Sequence, residues 1–447
     1  MDERLIRGAT VIGAEGPIRA EIRVQGGRIA GVGTRMDPAG CEVVDATDLY
    51  VLPGAIDGHG HQWEPGFTSP ADFGDATASA VVGGVTTLLD HPLTTPLVVT
   101  LDAFEAKRRL GARTSLIDFG LHAGASPAHL GELRGLWAAG ATGIKVFTCP
   151  TGTLLDGFDE PVRLDDLFGE LHGIGARALV HAEDASMLAS TAAALTAANH
   201  VSVTSFPAWH SLAAEQAAVG GILELAERRR VEVLIVHASH PSIVHAVLTA
   251  RSRGVAAFVE TCPHYLVLAD PDLAQQGAWA VTAPPVRDSA ARDELRRQIQ
   301  DGSIDTIGSD HCAIGRQGKD VARMTEIIPG VPGLDLFLPL LLDLVARGSI
   351  DWQSLIRATA TTPARLFGLR QKGAIAIGND ADLVFVDPNR EWTVRAADLP
   401  GSAGWSPYEG RSLRGSVVET WSRGVPVARG GQPIGRPGHG RFIARAA

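Results

Sequence analysis

Short runs of alternating apolar and polar residues occupy both ends of the chain. Residues 21–33, with the sequence EIRVQGGRIAGVG, contain two such runs on either side of Gly26-Gly27, a dipeptide that favours a tight hairpin turn. Residues 371–447 have the same character, with short apolar runs separated by glycine, asparagine and aspartate. The pattern predicts antiparallel strands, and we expect residues 1–52 and 371–447 to form one small β-sandwich domain.

The intervening region, residues 53–370, alternates short apolar runs with helical segments rich in alanine, leucine and arginine. This alternation is typical of parallel βα units. Eight candidate strands fit it: GAIDGHGH, VTTLLDH, SLIDFGLH, GIKVF, RALVHAE, EVLIVHAS, AAFVETC and DTIGSDH. Eight such units predict an α/β fold, a (β/α)8 TIM-like catalytic barrel, whose functional residues lie at the carboxyl ends of the strands.

The charge composition of the chain bears on whether it binds nucleic acid or membranes. The chain has 447 residues, with 40 basic against 50 acidic, and its basic residues form no stripe, so we expect neither nucleic acid nor membrane as a partner. The start of the chain is charged and lacks the apolar core of a signal peptide, which predicts a cytoplasmic location. The cysteines form no CxxC pair, so a disulfide framework or a zinc knuckle is not expected.

The ends of the candidate strands carry an unusual set of side chains: His59, His61, Lys145, His181, His237 and Asp310. Residues two apart in a strand point to the same face, so the two histidines of the first strand project into one site. A lone HxH is as often a hydrogen-bonded pair in a core. Histidines and an aspartate at the ends of several barrel strands instead predict a metal site, with zinc or a similar ion.

A series of motifs follows in chain order: PGAIDGHGHQWEPG, GGVTTLLDHP, GIKVF, LVHAED, IVHAS, ETCPHYL, APPVRD, GSDHCA, TTPARLFGL and KGAIAIGNDADLVFVDP. This series resembles the cyclic amidohydrolases, a group of dihydroorotases, hydantoinases or dihydropyrimidinases, and allantoinases. The resemblance implies a centre of two divalent ions, one held by His59, His61 and Asp310 and the other by His181 and His237. It also suggests a homotetramer or dimer. The histidine and carboxylate donors would accept zinc, manganese, cobalt or iron.

Lys145 stands between isoleucine and valine in a strand expected to be buried. Beside two dications a buried ammonium would be repelled and desolvated, so its pKa should fall well below about 10.4. A neutral amine can add carbon dioxide, and the resemblance implies that Lys145 is carboxylated and bridges both ions. The alternative is a lysine whose head reaches the barrel rim.

The expected reaction is opening of a cyclic amide or ureide. Two ions sharing a water would make hydroxide available near neutrality, and Asp310 would serve as the general base and acid. The competing interpretation is a non-catalytic relative that acts as a scaffold. Such relatives typically lose metal ligands, whereas all six predicted ligands are present here.

Residues near the motifs favour one substrate class. Where dihydroorotases carry an arginine for the substrate carboxylate, this chain has Trp63, and the tyrosine that hydantoinases have after the bridging lysine is missing. Thr151 fits the allantoinase pattern, so an allantoinase-like enzyme is the leading interpretation. Trp63, Thr94, Thr151 and His264 are the predicted substrate contacts.

Two departures from the allantoinase pattern make the pocket less polar. Residues 91–94 read HPLT, where the family usually has methionine first and asparagine last, and residues 205–207 read SFP instead of SRP. A hydantoinase-like enzyme, or a hydrolase of a more hydrophobic cyclic imide, therefore remains the alternative.

Overall fold

The computed structural model describes residues 3–13, 15–66, 72–150 and 157–446. The N-terminal part is made of short strands: β1 (Glu3–Arg7), β2 (Thr10–Gly13), β3 (Gly16–Arg19), β4 (Glu21–Gln25), β5 (Arg28–Gly33), β6 (Glu42–Asp45) and β7 (Tyr50–Pro53). Strands β4 and β5 are antiparallel, and Gly26 and Gly27 between them have φ values of 59° and 80°. The hairpin predicted at this dipeptide is therefore confirmed.

The middle of the chain contains the parallel strands β8 (Ala55–Gly60), β9 (Val85–Asp90), β10 (Asp118–Leu121), β11 (Ala123–Gly124), β12 (Ile144–Phe147), β13 (Ala178–His181), β14 (Val233–Ile235), β15 (Ala257–Thr261) and β16 (Thr306–Ile307). Each of the eight predicted runs contains one of these strands, and β11 is an addition. Nearly all of their residues are buried, as expected for parallel strands covered on both faces.

Helices separate and follow these strands: α1 (Phe73–Val82), α2 (Leu101–Thr114), α3 (Leu133–Ala138), α4 (Pro161–Ile174), α5 (Ala185–Ala197), α6 (Phe206–Trp209), α7 (Leu212–Arg229), α8 (Pro241–Ser252), α9 (Pro263–Val267), α10 (Asp270–Gln276), α11 (Ser289–Gln300), α12 (Arg316–Lys319), α13 (Phe337–Ala346), α14 (Trp352–Ile356) and α15 (Thr362–Leu366). Several helices begin after a residue whose side chain accepts a hydrogen bond from a backbone N–H of the first turn. At the start of α5, Asp184 accepts from Met187 N. No helix in the described part of the chain is long and apolar enough to cross a membrane.

The strand pairing divides the middle region into two parallel sheets, with orders β10-β9-β8 and β11-β12-β13-β14-β15-β16. Only His122 separates β10 from β11, and an isolated parallel bridge joins Gly60 of β8 to His311, just beyond β16. Parallel α/β organisation is thus confirmed. Within the described residues the ladders do not form one continuous closed sheet, because the pairing is interrupted between β10 and β11 and only an isolated bridge joins β8 to the segment after β16.

Both ends of the chain meet in a second pair of sheets. The last strands are β17 (Leu383–Thr393), β18 (Ser412–Ser422), β19 (Val425–Arg429) and β20 (Gln432–Pro433). They join β7, β2 and β3 in a seven-stranded sheet, next to a four-stranded sheet of order β5-β4-β1-β6. A separate apolar core contains residues from both sheets, among them Ile22, Phe385 and Trp421. The final residues turn back, and Ile443 N donates to Phe119 O of β10 at 2.7 Å.

Candidate metal centre

The six side chains predicted as metal ligands all lie in parallel strands or shortly after them. His59 lies in β8, Lys145 in β12 and His181 at the end of β13. His61, His237 and Asp310 follow one to three residues after β8, β14 and β16. The ring centroids of His59 and His61 are 5.3 Å apart, and those of His59 and His237 are 5.4 Å apart. Strands distant in sequence therefore bring these side chains into one buried region.

Asp310 lies between the two histidines of the first strand. Its Oδ1 is 3.1 Å from His61 Nε2 and 3.3 Å from His59 Nε2. Burial opposes ionisation of Asp310, but the two imidazoles outweigh that penalty and hold its pKa below the usual range. Its backbone has φ of 46°, a left-handed conformation that costs an L residue roughly 1–2 kcal/mol, so tertiary contacts must hold it there.

His181 and His237 form the opposite side of the region. His181 Nδ1 lies 2.9 Å from His237 Nε2, and both side chains are buried. His237 has φ of 44°, the same unusual conformation as Asp310. Burial, followed by the neighbouring His181 and Lys145, lowers the pKa of His237 well below its usual value. A neutral imidazole is the form that binds metal ions.

Lys145 is 1% exposed and lies 4.9 Å from the centroid of the Phe147 ring. None of the residues that the structure describes accepts a hydrogen bond from Nζ or offers a carboxylate within ion-pair distance. Burial lowers the pKa of Lys145 to about 8, and Asp310 and Glu260 oppose the shift only in part. The amine is therefore far easier to deprotonate than that of an ordinary lysine.

Comparison with known proteins decides the family. The Amidohydrolase family model matches residues 50–427, which is most of the chain. The chain belongs to the amidohydrolase family. It is 35% identical over 441 residues to an allantoinase from Rubrobacter xylanophilus, covering 98% of this chain and 97% of that one. It is also 36% identical over 413 residues to a dihydroorotase from Halobacterium salinarum, covering 91% of this chain and 92% of that one.

A solved structure supports the same conclusion for the fold. The L-hydantoinase (dihydropyrimidinase) from Arthrobacter aurescens superimposes with a TM-score of 0.96 at 29% identity, and the match covers all of both chains. The resemblance to cyclic amidohydrolases inferred from the motifs is therefore confirmed, as is the enzyme class, a hydrolase of cyclic amides.

The donor atoms of this amidohydrolase suit divalent ions. His59 Nε2, His61 Nδ1 and His237 Nδ1 are buried without a hydrogen-bond partner among the described residues. Unpaired buried polar atoms are rare and costly, and an ion bound at His59 Nε2, which lies 3.3 Å from Asp310 Oδ1, would satisfy that nitrogen. The set of imidazoles with one carboxylate is a donor set that zinc and similar ions accept.

The predicted substrate contacts are placed less uniformly. Trp63 lies beside the centre, with its ring 6.0 Å from that of His61. Thr94 is fully buried, and its hydroxyl donates to Pro96 O at 2.8 Å. His264 is buried near Asp310, and burial lowers its pKa to about 4. Thr151 lies outside the described residues.

Sequence reasoning missed two glutamates of the centre, and it placed His91 near the catalytic face without a role. Glu260 Oε1 lies 2.6 Å from His59 Nδ1, and Glu183 Oε2 lies 2.9 Å from His181 Nε2. His91 stacks on His59 with the ring centroids 3.9 Å apart. A glutamate within an apolar strand run, as in AAFVETC, is the same kind of signal as Lys145 and could have identified Glu260.

Proposed function

We propose that this amidohydrolase opens a cyclic ureide ring, with the conversion of allantoin to allantoate as the leading reaction. The observation that carries the proposal is the convergence of four strand-end histidines, Asp310 and an unpaired buried Lys145 in one region. Similarity to the allantoinase from Rubrobacter xylanophilus over nearly the whole chain favours allantoin as the substrate.

Two divalent ions, zinc first among them, fit the donor set. His59, His61 and Asp310 would hold one ion, and His181 and His237 the other. When bound, the pair would polarise the ring carbonyl and lower the pKa of the attacking water. The region is buried, so charges that develop on the carbonyl oxygen would be stabilised in a site with little competing water.

Lys145 would join the two sides as a carbamate. Its Nζ, deprotonated with the help of a lowered pKa, would add to the carbon of carbon dioxide and lose one proton. The product is an anion on a side chain that otherwise brings an unpaired cation into an apolar strand. This change removes the penalty of burying an unpaired ammonium.

Asp310 is the proposed general base and acid. Its carboxylate lies next to His59 and His61, which keep it ionised and able to accept a proton from the attacking water. The same carboxyl would then deliver the proton to the leaving ring nitrogen. Trp63, Thr94, Thr151 and His264 would surround the substrate.

A second candidate substrate has an apolar substituent on the ring. Leu93, Val99 and Phe147 form a buried apolar cluster to which Trp63 and Leu97 also belong. Phe147 lies 5.3 Å from the ring of His181, so the cluster adjoins both sides of the centre. Such a wall would favour a 5-aryl hydantoin or a cyclic imide over the polar ureido group of allantoin.

A substrate panel tests the proposal. The protein is reconstituted with zinc, and ring opening is followed for allantoin, hydantoin, a 5-aryl hydantoin, dihydrouracil, a cyclic imide and dihydroorotate. We expect the highest kcat/KM for allantoin, or for the 5-aryl hydantoin if the apolar wall dominates. Dihydroorotate as the best substrate would contradict the argument from Trp63, and no turnover of any ring would contradict the reaction class.

The architecture completes the proposal. Only one residue, His122, separates β10 from β11, and a bridge joins Gly60 to His311. Both features support closure of the parallel strands into one (β/α)8 barrel over residues 53–370. The two sheets with a shared core support a β-sandwich domain of residues 1–52 and 371–447. We further propose a cytoplasmic homo-oligomer, a tetramer or a dimer.

A further inference from the structure

Glu260 determines which nitrogen of His59 is free. The distance between His59 Nδ1 and Glu260 Oε1 is 2.6 Å, and both side chains are completely buried. When Glu260 is ionised, its carboxylate can only accept a hydrogen bond, so Nδ1 then carries the hydrogen. His59 Nε2, which faces Asp310, is left with a lone pair and no hydrogen-bond partner among the described residues.

Glu183 imposes the opposite choice on His181. The distance between His181 Nε2 and Glu183 Oε2 is 2.9 Å, so Nε2 carries the hydrogen and Nδ1 keeps the lone pair. That Nδ1 faces His237 Nε2 at 2.9 Å. Each side of the centre thus has one histidine whose outer nitrogen is held by a carboxylate and whose inner nitrogen faces the other donors.

His210 holds Glu183 in turn. Its Nδ1 lies 2.9 Å and 3.0 Å from the two carboxylate oxygens. The His210 ring stacks on Phe206, with centroids 4.3 Å apart and planes at 11°. The ring therefore packs on one face against an aromatic side chain and meets the carboxylate at one edge, so it restricts the positions open to Glu183.

The third buried glutamate in the described residues gives a contrast. Glu215 accepts hydrogen bonds from Arg287 and Ser239, at 2.9 Å for the guanidinium. A permanent cation neutralises that carboxylate, as is usual for buried acids. No lysine or arginine of the described residues pairs with Glu183 or Glu260, whose side-chain partners are the histidines and, for Glu260, Thr306. The charged or ionisable side chains that hydrogen-bond to Glu183 and Glu260 are thus imidazoles.

We propose that Glu260 and Glu183 are positioning residues that fix the tautomers of His59 and His181, and that His210 acts through Glu183. The inference rests on the proposed function, because it concerns the ions that the enzyme would use. A carboxylate on the outer nitrogen orients the ring and makes the inner nitrogen a better ligand, and its loss typically costs roughly 10- to 100-fold in metal affinity.

Zinc titration of the full-length protein tests the proposal without substrate. The protein is stripped of metal and titrated with zinc against a chelating dye, which gives a dissociation constant for each of two sites. We expect Glu183→Gln to weaken one site roughly 10- to 100-fold and Glu260→Gln to weaken the other by a similar factor. His210→Phe, which keeps an aromatic ring beside Phe206, should weaken only the site that Glu183→Gln affects, and by less.

Two comparisons separate positioning from general structural damage. Glu215→Gln disturbs a buried glutamate that contacts none of the proposed ligands, although its partner Arg287 donates to His210 O at 3.0 Å. It should change both zinc constants much less than Glu183→Gln changes one of them, while lowering the melting temperature. The double variant Glu183→Gln/His210→Phe should bind zinc no more weakly than Glu183→Gln alone, because the hydrogen bonds of the His210 ring go to Glu183, which in turn bonds His181. Equal losses in Glu215→Gln, or losses that add in the double variant, would overturn the proposal.

A tautomer measurement covers variants that fail to fold. Long-range nitrogen–proton NMR spectra of the metal-free wild type, labelled with ¹⁵N-histidine, report which nitrogen of each ring is protonated. We expect hydrogen on Nδ1 of His59 and on Nε2 of His181, and the reverse pattern contradicts the proposal. Because neither readout uses turnover, an enzyme inactive on every ring substrate would refute the proposed function and leave this inference standing.

Discussion

Two buried lysines, Lys145 and Lys372, have opposite electrostatic surroundings. The Nζ of Lys372 lies 2.6 Å from carboxylate oxygens of Asp118 and Asp382, and 2.9 Å from one of Asp380. Lys145 has no such partner among the described residues, and burial lowers its pKa to about 8. Both side chains are almost entirely removed from solvent. The two lysines therefore differ in the number of carboxylates that lie within ion-pair distance of Nζ.

The difference separates a structural lysine from a reactive one. Three carboxylates around Lys372 stabilise its ammonium form and join β10 to the segment that precedes β17. Around Lys145 the chain supplies imidazoles instead, which do not compensate a cation. A lysine in such a place becomes stable only by losing its proton or by becoming an anion.

Lys319 makes the comparison sharper. It is fully buried and has no carboxylate partner in the described part of the chain, and its Nζ donates to Val281 O at 3.0 Å. Burial lowers the pKa of Lys319 to about 7. A missing carboxylate therefore does not by itself define a site for an ion, and the neighbouring histidines are what distinguish Lys145.

The largest effect is expected for Lys145→Ala. Removing the amine removes the proposed carbamate between the two sides, so we expect loss of bound metal and of nearly all turnover. Metal content by mass spectrometry and ring opening at saturating substrate measure both. Partial recovery with acetate or propionate would support the bridging role, whereas a variant with normal metal content would contradict it.

Asp310→Asn should separate metal binding from chemistry. The amide keeps an oxygen near His59 and His61 but cannot carry the transferred proton, so kcat should fall about 10²- to 10⁴-fold while most of the metal stays bound. Steady-state kinetics and metal analysis of the same sample measure the two quantities. Unchanged kcat would refute Asp310 as general base, and a metal-free variant would make it only a ligand.

Sequence patterns predicted the two kinds of region and the strands well. The eight runs and the hairpin at Gly26-Gly27 could be recognised because burial and turn chemistry leave local patterns. The interruption of the ladder at His122 and the separate strand β11 could not, since the pairing of strands that are distant in sequence is set by tertiary contacts. His122 itself is satisfied by Gly58 O at 3.0 Å and by Thr142 at 2.9 Å.

For the candidate centre, single residues were easier to predict than their partners. His59 and Lys145 stand out because a polar residue in an apolar run needs an explanation. Glu260 is 201 residues away from His59, so no local spacing relates the two. The left-handed backbone of His237 and Asp310 was equally hidden, because only the folded surroundings can hold a residue without glycine's freedom in that conformation.

Lys372→Met should damage stability and leave the metal centre intact. The substitution removes the cation beside Asp380 and Asp382, while Asp118 keeps its ion pair with Arg423. Breaking a buried ion pair in this way is expected to cost about 3–5 kcal/mol of unfolding free energy. Urea unfolding measures the loss, and metal content and kcat below the transition serve as the controls. A loss of metal as large as that of Lys145→Ala would show that the two lysines belong to one unit.

The smallest effect is expected for Lys319→Met, and it depends on pH. The pKa of Lys319 is about 7 in the folded protein against 10.5 for an ordinary lysine, so between these values the unfolded chain binds the extra proton. Stability of the wild type should therefore rise with pH in that window, by up to about 1.4 kcal/mol per pH unit from this group. In Lys319→Met this contribution is missing, so the variant's advantage in unfolding free energy should shrink from pH 7 to pH 9. Urea unfolding at three pH values measures the difference.

A labelling experiment is the control for this variant. Incorporation of ¹³C-labelled carbon dioxide should be equal in the wild type and in Lys319→Met. If Lys319→Met lost the labelled carbamate and Lys145→Ala retained it, Lys319 and not Lys145 would be the lysine that reacts with carbon dioxide.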